Sequence, residues 1–206
     1  MDDASTTRLA FADAAAAFDD LVGSIDPPQL AAPASDEWTV RELVGHTSRA
    51  LLTIETSLAA PLDDSTRRLA SAADYFCAAM SVAGVHAGIV ERARQAATGL
   101  GDDPRAYVRD TVARVLPLVD RTPDDVIVQH FAGRIAFIDY LQTRTVELVL
   151  HGVDLQRALG RAVAAPPRAA ALTRDVLLAM ADRGDPLAVA CALSGRSTAD
   201  GCNLLA

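Results

Sequence analysis

RIAFIDYLQTRTVELVLHGVDLQRALG, residues 134–160, is the stretch that decides the fold. It reads as one long helix over about 134–159 that ends at Gly160, the residue type that commonly stops a helix. Ile138, Leu141, Leu148, Leu155 and Leu159 form an apolar stripe along it. Tyr140, Arg144, Glu147, His151 and Asp154 form a polar stripe beside that one, at steps of three and four. Two readings fit the polar stripe. One is a solvated edge laced by Arg144–Glu147 and His151–Asp154 pairs. The other is a Glu-x-x-x-His ligand pair facing a neighbouring helix.

A long helix with an apolar stripe needs partners, and the rest of the chain supplies more helices. Residues 5–24 read as the first, ended by Asp26-Pro27-Pro28. The second starts at Thr39, which with Glu42 has the spacing of a capping box, and Trp38 and Leu43 stand at the positions of a hydrophobic staple. Pro61 closes it. A third helix is expected over about 71–98, and a fourth from the Asp103-Pro104 cap to about 119. VIVQHF, residues 126–131, is the best strand-like run, with a short extended connection as the other reading. After Ala165-Pro166-Pro167 come a helix over about 168–183 and a short one to about 194. The expectation is an all-α chain: an antiparallel four-helix bundle over 1–160, with 161–206 as a short C-terminal helical appendage.

Composition excludes several chemistries. The chain has 206 residues and a net charge of −8, and all 19 of its basic residues are arginine. With no lysine there is no P-loop lysine and no Schiff base. An acidic balance argues against nucleic acid as a partner. Residues 1–37 hold eight acids against Arg8 alone, so most of the charge is N-terminal. Cys77, Cys191 and Cys202 make no C-x-x-C and point to a reducing compartment. The start, MDDASTTRLA, is unlike a signal peptide, and no apolar run approaches the ~18 residues of a membrane span. The expected location is the cytoplasm. No G-x-S-x-G, H-E-x-x-H or G-x-G-x-x-G pattern occurs.

Four histidines remain to be weighed. His46 borders the inward stripe of the second helix, where its ring needs a polar partner, since a buried unpaired nitrogen costs roughly 1–3 kcal/mol. Glu147 and His151 on a facing helix would be such partners. Three ligands of the His₂Glu type leave one position of a zinc-like ion open, which is the pattern of a catalytic site. Asp154 stands where it could hold the second nitrogen of His151. His86 reads as a histidine at a helix-packing seam. His130 reads as a loop or edge histidine, with approach to a ligand pocket as the other reading. Arg49 either faces an anionic substrate or sits on the surface, and Tyr140 either lines the pocket or packs. Cys77, in an apolar stretch, is expected as a small core residue.

WTVRELVGH, residues 38–46, resembles the W-[ST]-V-[RK]-[DE]-L-V-x-H segment of the DinB-like metal-dependent bundles, and more narrowly of the mycothiol-dependent maleylpyruvate isomerase family of actinobacteria. Arg144-x-x-Glu147-x-x-x-His151-x-x-Asp154-Leu155 resembles that family's metal helix, and Ala192-Leu193-Ser194-Gly195-Arg196 its tail. The arginine-only, alanine-rich composition also fits a GC-rich actinobacterial gene. The resemblance implies a DinB-like bundle. His46, Glu147 and His151 would bind a divalent metal, usually zinc, whose open position takes the thiol of mycothiol or a related small thiol. Full-length members carry a larger C-terminal domain that contributes a basic residue to the active site, and Arg196 is the candidate for that role here.

Two functions follow as expectations. The first is a metal-dependent thiol transferase or isomerase acting on a small electrophile, with Asp154 and Arg144 orienting the ligands, Arg49 and Arg196 as candidate catalytic residues and Tyr140 as a candidate substrate contact. The second is a non-catalytic bundle that binds a small ligand or protein partner, its metal structural or sensory. Neither uses nucleic acid or a membrane, and either a monomer or a homodimer is compatible.

Overall fold

The computed structural model describes residues 3–34, 38–82, 85–184, 186 and 189. Among these the chain forms α1 (Asp3–Gly23), a 3-10 turn (Pro27–Ala31), α2 (Val40–Ala59), α3 (Ala72–Met80), α4 (Val85–Gly99), α5 (Pro104–Arg121), β1 (Ile127–His130), β2 (Gly133–Ala136), α6 (Phe137–Ala158) and α7 (Pro167–Ala181). The described residues are all-α apart from the β1–β2 hairpin. No described helix is long and apolar enough to cross a membrane.

The helix starts follow their local chemistry. Thr39 caps α2: its hydroxyl accepts from the Glu42 amide, and the Glu42 carboxylate accepts from the Thr39 amide at 2.8 Å. This reciprocal pair satisfies two of the amides that a helix start leaves open. Asp103 caps α5 by accepting from the amides of Arg105 and Ala106, with Pro104 at the first helical position. Gly160 takes a φ of +65° just past α6, as a left-handed helix stop requires.

Three expectations are corrected. The stretch 71–98 is two helices. Ser81 closes α3, its hydroxyl bonding the Cys77 carbonyl at 2.7 Å, so α3 and α4 pack separately. Residues 134–136 belong to β2 rather than to the long helix, because Arg134 is drawn into extended pairing with β1 and with the 66–69 segment. Gly133 makes that possible: at φ +139° it sits where a Cβ would meet the Arg67 carbonyl at 2.5 Å. Cys77 is exposed rather than in the core, since Ala73, Phe76 and Ala79 form the inward side of α3. The short helix expected up to 194, Cys191, Cys202 and Arg196 lie outside the described residues.

The core forms where α1, α2, α5 and α6 meet. Phe11 and Phe18 of α1, Leu51 and Ile54 of α2, Val108 and Val115 of α5 and Leu141 and Leu155 of α6 are all buried in it. Full burial of each large side chain is worth about 1.5–3 kcal/mol. Arg8 ties α1 to the end of α5, donating to the Val119 and Thr122 carbonyls and pairing with Asp124. The helix α7 packs against α1, α3 and α6, with Arg168 paired to Asp13 at 2.9 Å.

The helix α4 lies very close along α2. A Cβ on Gly45 would meet the Ala97 backbone nitrogen at 2.5 Å. Helix propensity alone would favour Gly45→Ala by about 1 kcal/mol. Overlap with a neighbouring backbone outweighs this, because two helices must separate. We predict a net loss of about 1–3 kcal/mol for Gly45→Ala, read as a lower denaturation midpoint. An unchanged or raised midpoint would show that the two helices do not touch there.

Candidate metal centre

The site begins at the α2–α6 contact. His46 is two turns into α2, in a register fixed by the Thr39 cap. Glu147 and His151 are one turn apart on α6. One ligand atom from each of the three lies within 4.8 Å of the other two. The His46 and His151 rings meet edge to face at 4.7 Å, and Trp38 packs on both, 4.7 Å from His46 and 6.5 Å from His151. His46 Nδ1 is buried and meets no hydrogen-bond partner among the described residues. Two imidazoles and a carboxylate converging on one point, one imidazole with an orphaned nitrogen, form a donor set that suits zinc or a similar divalent ion.

The charge states are set by the neighbours. His151 Nε2 is 3.1 Å from Glu147 and Nδ1 is 3.3 Å from Asp154. Both carboxylates can only accept, so both ring nitrogens donate and the ring is charged. Burial opposes that charge, but the bonds to Asp154 and Glu147 outweigh it and carry the pKa to about 9. Burial likewise opposes the charge on Glu147, yet the His151 bond and charge and the nearby Arg144 hold it at about 2. His46 goes the other way: burial, then the His151 charge, push it down to about 3. It therefore stays neutral with a lone pair to offer.

The three residues open onto a cavity of about 270 Å³. Its walls carry Arg49 of α2, Arg92 of α4 and Arg144 of α6, with Glu147 as their only carboxylate among the described lining residues. Arg144 is 5% exposed. It stacks on Tyr140 at 4.8 Å and Tyr75 at 5.3 Å, and donates to Thr53, Thr143 and Tyr75. Arg49 is half-buried, and no hydrogen bond or ion pair holds it among the described residues. Burial, then the charges of Arg92 and Arg144, lower its pKa.

The structure thus brings together His46, Glu147, His151 and Asp154, with Arg144 and Arg49 beside them. Asp154 holds His151 Nδ1, as its spacing suggests. Arg144 bonds Thr53 and Tyr75 instead of forming the surface pair with Glu147. Tyr140 is fully buried, its hydroxyl bonded to Ser57 at 3.2 Å, and packs behind the wall under Arg144. His130 approaches the pocket, which it lines. The side chain of His86 lies outside the described set. Sequence reading missed Tyr75 and Arg92, which reach the cavity from α3 and α4. No local pattern marks either one; only the break between those helices places them there.

The family model for the mycothiol maleylpyruvate isomerase N-terminal domain matches residues 11–156. No curated protein and no solved structure is matched. The matched span runs from α1 to the end of α6 and contains every residue of the cluster and its cavity. The chain belongs to the mycothiol maleylpyruvate isomerase N-terminal domain family.

Proposed function

We propose that the protein is a metal-dependent enzyme that uses a low-molecular-weight thiol, mycothiol or a relative, to transfer or isomerise at a small electrophile. The observation that carries this is the His46–Glu147–His151 cluster at the wall of a cation-lined cavity. His46 and His151 would give a nitrogen each and Glu147 an oxygen, leaving a position open on a four-coordinate ion. A divalent ion held there would supply Lewis acidity, which would lower the pKa of a thiol beside it and favour the nucleophilic thiolate.

The protein's own part is orientation and charge. Asp154 keeps the proton on His151 Nδ1, so that Nε2 is the atom offered to an ion. The His151 bond and charge, and after them Arg144, keep Glu147 anionic. Arg49 and Arg92 give the cavity a positive wall, which favours an electrophile that carries a negative charge. The family supports the thiol, while the arginines support the charge of the substrate.

Metal analysis is the direct test. Wild-type protein should carry close to one divalent ion per chain, and His151→Ala should lose it on dialysis. Asp154→Ala should bind the ion about 10–100-fold more weakly. Wild-type protein that takes up no metal would overturn the reading. Chelation should lower the melting temperature little and mycothiol should raise it, whereas a structural ion would do the reverse.

Metal affinity should also rise with pH. His151 holds its proton up to about pH 9, and an ion must displace it. One released proton makes the affinity climb about tenfold per pH unit between pH 6 and 9, then level off. Competition with a chromophoric chelator measures this, and a flat profile would mean that His151 is not a ligand.

A further inference from the structure

We propose that Arg49 and Arg92 form a carboxylate-binding pair in the cavity, and that Gly88 is a positioning residue that seats Arg92 there. This rests on the reading of the cavity as a substrate site. It assigns the substrate's charge to two of the three arginines and names the residue that makes room for one of them.

The three arginines differ in what they have left to offer. Each nitrogen of the Arg144 guanidinium already donates to a hydroxyl: Nε to Thr143 at 3.0 Å, Nη1 to Thr53 at 3.3 Å and Nη2 to Tyr75 at 3.1 Å. That group is committed to joining α6 with α2 and α3. Arg49 and Arg92 are half-buried, and neither guanidinium has a hydrogen-bond or ion-pair partner among the described residues. Glu147, the one carboxylate among the described lining residues, is held by His151 at 3.1 Å. Two guanidiniums thus face one cavity with no anion of the described chain to answer them. A guanidinium fork matches the two oxygens of a carboxylate with parallel bonds. Burial, then Arg92, then Arg144 disfavour the charge on Arg49, and an anion between the arginines relieves that opposition.

Arg92 is seated by a missing side chain. A helical side chain leans back over the turn before it, and for Arg92 of α4 that turn carries Gly88. A Cβ on Gly88 would stand 2.8 Å from Arg92 Nη1 and 3.5 Å from Cζ and Nη2. The guanidinium therefore lies where a side chain at 88 would be. Its Cζ also stands over the Phe131 ring, 6.0 Å from the centroid, so the head of Arg92 sits between α4 and the hairpin at the cavity wall. Arg49 reaches the same cavity from α2, three residues after His46, a rise of about 4.5 Å along the helix. The anion site and the metal cluster are thus neighbours in one cavity, and one small molecule can touch both.

Titration of the full chain with acetate at fixed ionic strength tests the pair, with acetamide as the uncharged isostere. Trp38, the single tryptophan, lines the same cavity, so its fluorescence reads binding. Wild type should bind acetate saturably, and acetamide about tenfold more weakly or worse. Arg49→Gln and Arg92→Gln should each weaken acetate binding about tenfold. Gly88→Ala keeps both arginines, yet should weaken acetate about three- to tenfold. Its denaturation midpoint should hold or rise, because the displaced atoms end a flexible side chain and alanine suits a helix better than glycine. No saturable acetate binding by wild type, equal binding of acetate and acetamide, or unchanged acetate binding by either arginine variant would overturn the pair. A Gly88→Ala protein that binds acetate as wild type does would overturn the positioning role. The titrations are run on zinc-loaded protein and again after chelation, with zinc measured on each sample. Acetate binding that vanishes with the zinc belongs to the ion and overturns the pair. Arginine-dependent binding by a wild type that takes up no zinc supports the pair and counts against the metal reading alone.

Discussion

A buried guanidinium organises the cavity. Arg144 is 5% exposed, and a charge so buried is tolerated only when its surroundings satisfy it. Its partners come from three helices: Thr53 of α2, Tyr75 of α3, and Tyr140 and Thr143 of α6. Meeting the needs of one cation thereby fixes where α3 lies relative to α2 and α6. The same charge acts on the groups around it. It helps His151 hold Glu147 anionic, helps keep His46 and His130 neutral, and donates to the Tyr75 hydroxyl. Loss of Arg144 would disturb the His46–Glu147–His151 cluster, the cavity wall at Tyr75 and the packing between them together.

The local rules of helices made half of this site legible. The Thr39–Glu42 cap sets the register of α2, and that register turns His46 inward. The spacing of three and four along α6 puts Glu147, His151 and Asp154 on one stripe. These are contacts within a few residues, where helical geometry leaves little freedom. The other half comes from helices that no local rule aims at the cavity. Tyr75 and Arg92 sit in a stretch whose apolar residues read as one continuous helix over 71–98. Ser81 ends α3, and the two halves go separate ways, one beneath α6 and the other along α2. The β2 strand was hidden for a similar reason: RIAF continues the apolar period of the helix after it. Its extended pairing depends on Arg67 and Leu69, more than sixty residues earlier.

Net charge is a poor guide to the site. The chain is acidic by eight charges, yet the described walls of the cavity carry three arginines and one carboxylate. Most of that net charge comes from the first 37 residues, where eight acids face Arg8 alone. A ligand in a pocket with low-dielectric walls responds to the charges lining it far more than to the distant sum. Sequence placed the surplus of acid correctly and could say nothing of the local excess of base, since Arg49, Arg92 and Arg144 come from three separate helices.

The two cluster histidines sit in opposite charge states for a reason that bears on the ion proposed for the site. Glu147 is anionic and half-buried, so it requires positive charge close by. The proton on His151 supplies it, held between Glu147 and Asp154. That same proton suppresses protonation of His46, whose ring centre is 4.7 Å away, and leaves a free lone pair. In the proposed metal-bound state, His46, Glu147 and His151 would hold the ion, which would stand in for the His151 proton beside Glu147 and find His46 already neutral. Only one proton would have to leave, and Asp154 would still hold the far nitrogen of the ring that gives it up. The charge balance around the cluster is complete in the protein's own residues, Glu147 with the proton of His151 and His151 with Asp154. A structural metal site, in which the fold itself depends on the ion, has no such substitute.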